Sequence, residues 1–130
     1  MQTRKKKKKN LVDSLHWDFI NDILKNNDII LLGLIKIHNI VKGGQNRKLN
    51  RDFCDLKLYL LRQRLLYKAS ISQKKVILVK EHYTTKTCSN CGTLNQEIGS
   101  SKIFRCRNCL LSAGRDINAS KNILLKGLFC

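Results

Sequence analysis

The chain contains no proline and no internal repeat, and acidic side chains are scarce: 9 against 26 lysines and arginines in 130 residues. With neither proline nor a repeating period, a Pro-rich linker and a solenoid are both excluded. Long apolar runs are missing as well. The longest, Ile29 to Ile35, is interrupted by Gly33 and is far too short to cross a membrane, so no membrane partner is expected. Asp13, Ser14, His16 and Asp18 break the pattern behind the basic start, which leaves no secretory h-region and predicts an intracellular, reducing setting. No glycine-rich phosphate loop is present, and no Ser-His-Asp or Cys-His set has support. His16, His38 and His82 lack metal-ligand spacing and are expected to be structural or exposed.

What is present in excess is positive charge. A net charge of +17 and a pI near 10.0 favour a polyanionic partner through phosphate neutralisation and counterion release. Arg4 and Lys5 to Lys9 supply six of these charges, so most of the basicity lies in the rest of the chain. That first run, with Lys5, Lys6 and Lys7 as candidate phosphate contacts, reads as an import signal, a phosphate-binding arm or a solvated tail. The hydrophobic share of 42% is enough for a modest core.

Along the chain, Leu15, Phe19 and Ile23, flanked by Val12, Ile20 and Leu24, recur at helical spacing from Leu11 to about Asn26, and Asp13 or Ser14 can cap the start. Asp28 to Ile35 reads as a buried strand and Lys42-Gly-Gly-Gln-Asn as a loop. A long helix is predicted from about Asn50 to Ala69, then a second strand over Lys75 to Lys80, and a last helix headed by Asp116 and ending near Gly127. The pattern is mixed α/β, although two strands make a poor sheet.

Four cysteines carry the chemistry. Cys88-Ser-Asn-Cys91 and Cys106-Arg-Asn-Cys109 are two knuckles separated by fourteen residues, each presenting two sulfurs to one ion, and the set Cys88, Cys91, Cys106 and Cys109 predicts a tetrahedral structural zinc site. Cys54 and Cys130 are left over, read as a buried helix residue and an exposed chain end. Beside the second knuckle, Arg105 and Arg107 are candidate nucleic-acid contacts, and Phe104 is readable either as a base-stacking ring or as packing. Trp17 and Tyr59 read as core or interface residues.

The string from Tyr83 to Leu124, YTTKTCSNCG followed by FRCRNC and GRDINASKNIL, resembles the C-terminal part of the TnpB (OrfB-type) transposon proteins and of their eukaryotic and viral relatives, the Fanzor proteins. LHWDFINDILKNNDIILLG and LYLLRQRLLYKA are similar to that family's preceding segments, so the likeness runs from about Leu11 to Gly127. It implies an RNA-guided DNA endonuclease lineage with an RNase H-like RuvC domain into which the zinc ribbon is inserted. Such a site needs carboxylates from separate pieces of chain around divalent cations, Mg²⁺ being the expected one. Asp116 matches the family's third motif and, read from the residues alone, is a helix cap. Where bacterial members carry a second-motif glutamate this chain has Gly33; Glu81 stands where Fanzor-like relatives place an alternative one, and its plainer reading is a solvated strand end. No residue matches the first-motif aspartate.

The resulting expectation is an incomplete RuvC-like α/β segment with an inserted four-cysteine ribbon: a basic tail at 1–10, the partial RuvC-like segment at 11–82, the ribbon at 83–112 and the closing motif and helix at 113–130. The leading functional reading is a zinc-dependent DNA-binding protein, a truncated nuclease derivative that does not cleave alone. The alternatives are one half of a split RNA-guided endonuclease, with guide RNA and a separately encoded N-terminal half as partners, and a protein-interaction ribbon. For a eukaryotic or viral source, the likeness implies a nucleus, or host cytoplasm or a viral factory, as the setting.

Overall fold

The computed structural model describes residues 2–34 and 46–129. His38 and Cys130 lie outside them, as does most of the predicted loop after Lys42. The element order is α1 (Gln2–Asn26), β1 (Ile29–Gly33), α2 (Arg47–Asp55), α3 (Leu58–Ile71), β2 (Lys75–Val79), β3 (Ile103–Arg105), β4 (Ser112–Gly114) and α4 (Arg115–Phe129). The chain divides into two compact units. One holds α1, α2 and α3; the other holds β1 from Leu31, β2 from Ile77, and β3, β4 and α4.

In the first unit, α1 packs on α3 through a stripe four residues apart, Val12, His16, Ile20 and Leu24, all of them buried. The basic run expected as a tail is instead the opening of this helix. The predicted long helix after Asn50 is two helices. Asn46 caps the first, its side-chain oxygen accepting from the Lys48 and Leu49 amides at 3.0 and 3.2 Å. Lys57 then takes a left-handed conformation at φ 49°, ψ 49°, which turns the chain between Asp55 and Leu58. His16 helps to hold this break. Arg64 can only donate, so its contact with His16 Nδ1 at 3.1 Å makes Nδ1 an acceptor and leaves Nε2–H to donate to the Leu56 carbonyl at 2.8 Å. Arg64 also pairs with Asp13 at 2.7 Å and lies over the Trp17 ring. Tyr59, read as a core or interface residue, is not in the core: it is exposed, with the Arg62 guanidinium 5.1 Å from its ring centre. Cys54 is likewise exposed on α2 rather than buried.

β1 and β2 pair as a two-stranded sheet. Lys75 donates to Asp28 at one end and Leu34 to Val79 at the other, both at 2.9 Å, so the strands ascend together, joined by the helical crossover that a parallel pair requires. In the second unit, β3 and β4 pair antiparallel with Phe104 opposite Ala113. α4 follows β4 without a linker. It runs through Gly127 instead of ending there, because Gly127 is a close-packing residue: a Cβ would fall 2.3 Å from Leu31 Cδ2. Among the described residues no helix is long and apolar enough to cross a membrane.

Candidate metal centre and its flanking carboxylates

The four predicted cysteines converge. Their sulfurs all lie within 4.8 Å of one another, with Cys88 to Cys109 and Cys91 to Cys106 both at 3.6 Å. Zn–S bonds of about 2.3 Å put tetrahedral sulfurs about 3.8 Å apart, so the spacing fits zinc.

Each knuckle is closed by its own backbone. Cys88 donates to the Thr93 carbonyl and Gly92 to the Cys88 carbonyl, both at 2.9 Å, and Gly92 sits at φ +73°, where glycine carries no steric cost. The second knuckle repeats the turn with Cys106 donating to Leu111 at 2.8 Å, and here the left-handed residue is Leu110 at φ 60°. Phe104 fills the space beneath, fully buried with Cys88 and Cys106 and flanked by Ile98, Cys109 and Leu111. It therefore belongs to the ribbon core, and no ring face is free to stack on a base.

The thiols are unequally tuned. Burial pushes Cys88 up to about 11, against the pull of the Cys91 and Asn90 amides aimed at its sulfur. Cys91 is drawn down to about 5, first by the Thr93 hydroxyl 3.3 Å away, which donates to the ionised sulfur, and then by the Thr93 amide. Asn108 donates to that hydroxyl oxygen at 3.1 Å and so orients it. The Cys109 amide, aimed at the sulfur, is the main influence lowering Cys106. Amides aimed at sulfur are what a thiolate-bound cation needs, and metal uptake here must release a proton from Cys88.

Arg105 and Arg107 are exposed on the ribbon and line an open groove of about 800 Å³ with Asn95, Gln96 and Ser101; Arg107 reaches Glu97 at 3.2 Å. Lys5, Lys6 and Lys7 are exposed on the first turns of α1.

Glu81 follows β2 and is half-buried over Gly33. A Cβ at residue 33 would fall 1.8 Å from Glu81 Oε1, so the missing glycine side chain is the space that the carboxylate occupies. Burial raises the Glu81 carboxyl above the usual range, and among the described residues no lysine or arginine pairs with it. Asp116 is exposed within the first turn of α4, inside the helix rather than ahead of it, where its charge suits the positive helix end. Among the described residues the four cysteines are the one group of three or more potential ligands that comes together. Glu81 and Asp116 alone do not make a closed Mg²⁺ site.

The residues that sequence reasoning passed over are Asn118 and Asn122. They lie in the RDINASKN run read for its aspartate, yet both are buried and both face the first knuckle segment. Their i, i+4 spacing on a helix was the available signal.

Residues 59–123 match the family of the Cas12f1-like TNB domain. The chain is 34% identical over 122 residues to TnpB-like protein L79 of Acanthamoeba polyphaga mimivirus, a match covering 92% of this chain and 23% of that protein. It is 39% identical over 72 residues to the CRISPR-associated endodeoxyribonuclease Cas12f1 of Sulfoacidibacillus thermotolerans, covering 54% of this chain and 17% of that one. The fold matches the solved Cas12f1–sgRNA–target DNA complex with a TM-score of 0.63 at 18% identity, over 94% of this chain and 34% of that one. The chain thus spans less than a quarter of the mimivirus relative's length. The matched residues include both knuckles and the Asp116 run, and the chain belongs to the Cas12f1-like TNB domain family, as a TnpB/Cas12f-like C-terminal zinc-finger region.

Proposed function

We propose that this chain is a zinc-dependent DNA-binding protein whose ribbon, ordered by Cys88, Cys91, Cys106 and Cys109, presents Arg105 and Arg107 to phosphates, and that the chain alone does not cleave. The carrying observation is the open groove on the ribbon with both arginines exposed, in a chain of net charge +17. The similar Cas12f1 is described in complex with a guide RNA and target DNA, which supports a nucleic-acid partner. With about six phosphates neutralised, affinity for duplex DNA should fall on the order of a thousandfold between about 50 and about 200 mM salt. Arg105→Ala with Arg107→Ala should lower the salt slope by about two. A flat salt titration would instead favour a protein-interaction ribbon.

A second reading is favoured by the Glu81 and Gly33 arrangement. A half-buried carboxylate with no paired cation among the described residues, seated where residue 33 lacks a side chain, suits a metal ligand of a RuvC-like nuclease site, with Asp116 as another and Mg²⁺ as the ion. In this reading a separate polypeptide supplies the remaining carboxylate and the guide-RNA surface. The test adds the N-terminal portion of a relative with its guide RNA in trans. Cleavage in the mixture that is lost in Asp116→Ala and Glu81→Ala supports the reading; metal-dependent cleavage by the chain alone, lost in Asp116→Ala, would overturn the claim that it is inactive by itself.

A further inference from the structure

We propose that Asn118 and Asn122 are positioning residues that register α4, and with it Asp116, against the first zinc knuckle, so that closing the knuckle on metal fixes the helix. Four hydrogen bonds carry the connection. The Ser89 amide, next to the ligand Cys88, donates to Asn118 Oδ1 at 2.9 Å, and Asn118 Nδ2 donates to the Thr87 carbonyl at 2.8 Å. One helical turn on, Asn122 Nδ2 donates to the Thr84 carbonyl at 2.8 Å and to the same Thr87 carbonyl at 2.7 Å.

Both side chains are enclosed, Asn118 at 0% and Asn122 at 6% exposure, so these bonds are made away from competing water. A buried amide that loses its partner keeps the desolvation cost and loses the compensation, which makes the register all-or-none. The segment they grip is itself fixed at both ends. Thr84, also buried, donates through its hydroxyl to the Glu81 carbonyl at 2.9 Å, and Cys88 is one of the four clustered thiols that would hold the metal. The path therefore runs from the Glu81 turn through Thr84 to Asn122, and from Cys88 through Ser89 to Asn118, both ending on the helix whose first turn carries Asp116. Leucine fits the volume of Asn122 but donates nothing. The pair is thus a means by which zinc loading sets the relation between two carboxylates that are not zinc ligands. The value of that relation for catalysis rests on the second reading above, whereas the helix registration does not.

The experiment reads helix order and metal binding in the full chain, with no DNA or cleavage assay. Hydrogen exchange over Arg115–Phe129 is compared with zinc bound and after chelation, in the wild type, Asn122→Leu and Asn118→Ala, while Co²⁺ titration reports the four-thiolate site by its absorption. The wild-type helix should become protected on zinc binding. In Asn122→Leu the spectrum at Co²⁺ saturation should be unchanged while helix exchange with metal bound becomes faster on the order of 30-fold. Reciprocity requires metal affinity to fall by a similar factor. Asn118→Ala, which removes the knuckle's own partner, should show the same two changes. Helix exchange in both variants that follows zinc as in the wild type overturns the proposal, as does an altered spectrum at saturation in Asn122→Leu.

Discussion

Replacing Phe104 with alanine separates a core role from a nucleic-acid role at one position. The ring is fully buried against Cys88 and Cys106, with Ile98 and Leu111 at its edges, so truncation leaves a cavity inside a ribbon with few other apolar side chains. Phe→Ala changes at such sites cost about 3–5 kcal/mol. If zinc at the four cysteines folds the ribbon, as proposed, the loss should appear in zinc affinity. At 1.4 kcal/mol per tenfold, 3 kcal/mol is a weakening of about 150-fold. Zinc affinity is measured by chelator competition, and DNA affinity separately at saturating zinc. The buried-core account expects Phe104→Ala to lose zinc affinity by about that factor, Phe104→Leu to lose roughly a tenth as much, and both to bind DNA nearly normally once loaded. Unchanged zinc affinity with a large loss of DNA binding would refute it and restore the base-stacking role.

Gly33→Ala should displace the Glu81 carboxylate, because the added methyl would occupy its position; the Glu81 carboxyl should then titrate nearer its ordinary value by NMR, and an unmoved titration would contradict the packing. Leu110→Gly should stabilise the ribbon by about 1 kcal/mol, since a leucine held at φ 60° pays a left-handed penalty that glycine avoids, as Gly92 does at the matching place in the first knuckle; thermal unfolding with zinc bound measures this. Asp13 is held below its usual range chiefly by its hydrogen bond from Arg64, so its contribution is full above the unfolded value of 3.8 and is lost as pH falls through the depressed folded value. Acid unfolding of Asp13→Asn should accordingly lose that part of the pH dependence.

The four-cysteine cluster was legible in the sequence because knuckle spacing is a local property, and the structure brings the same four sulfurs together. Helix and strand centres were legible for a similar reason, but the buried face of α1 was not: Leu15 and Phe19, the apolar row that stands out in the sequence, are exposed, and the row that packs is Val12, His16, Ile20 and Leu24, with a histidine in it. What was not legible depends on contacts between distant segments. The break at Lys57 carries no glycine or proline, and its neighbouring carbonyl on Leu56 is bound by His16, forty residues earlier. Gly127 looked like a helix end because the atom that excludes a side chain there belongs to Leu31. Phe104 beside two arginines looked available to bases until β3 turned it inward, with Arg105 and Arg107 left outside. Asn118 and Asn122 were visible as letters, but their partners are backbone groups of the first knuckle segment, which no side-chain pattern announces.

The central claim is that metal at the four cysteines orders the surface that binds DNA. Its most direct test is DNA affinity measured at fixed low salt while zinc is withdrawn by a graded chelator series, in the wild type and in Cys88→Ser with Cys106→Ser. The account predicts that ribbon-dependent binding falls in step with bound zinc and returns on its re-addition, that the double variant holds no stoichiometric zinc, and that the remaining affinity no longer responds to Arg105→Ala with Arg107→Ala. DNA binding that keeps its full strength and its dependence on both arginines after zinc is gone, or a double variant that retains one zinc per chain, would contradict it.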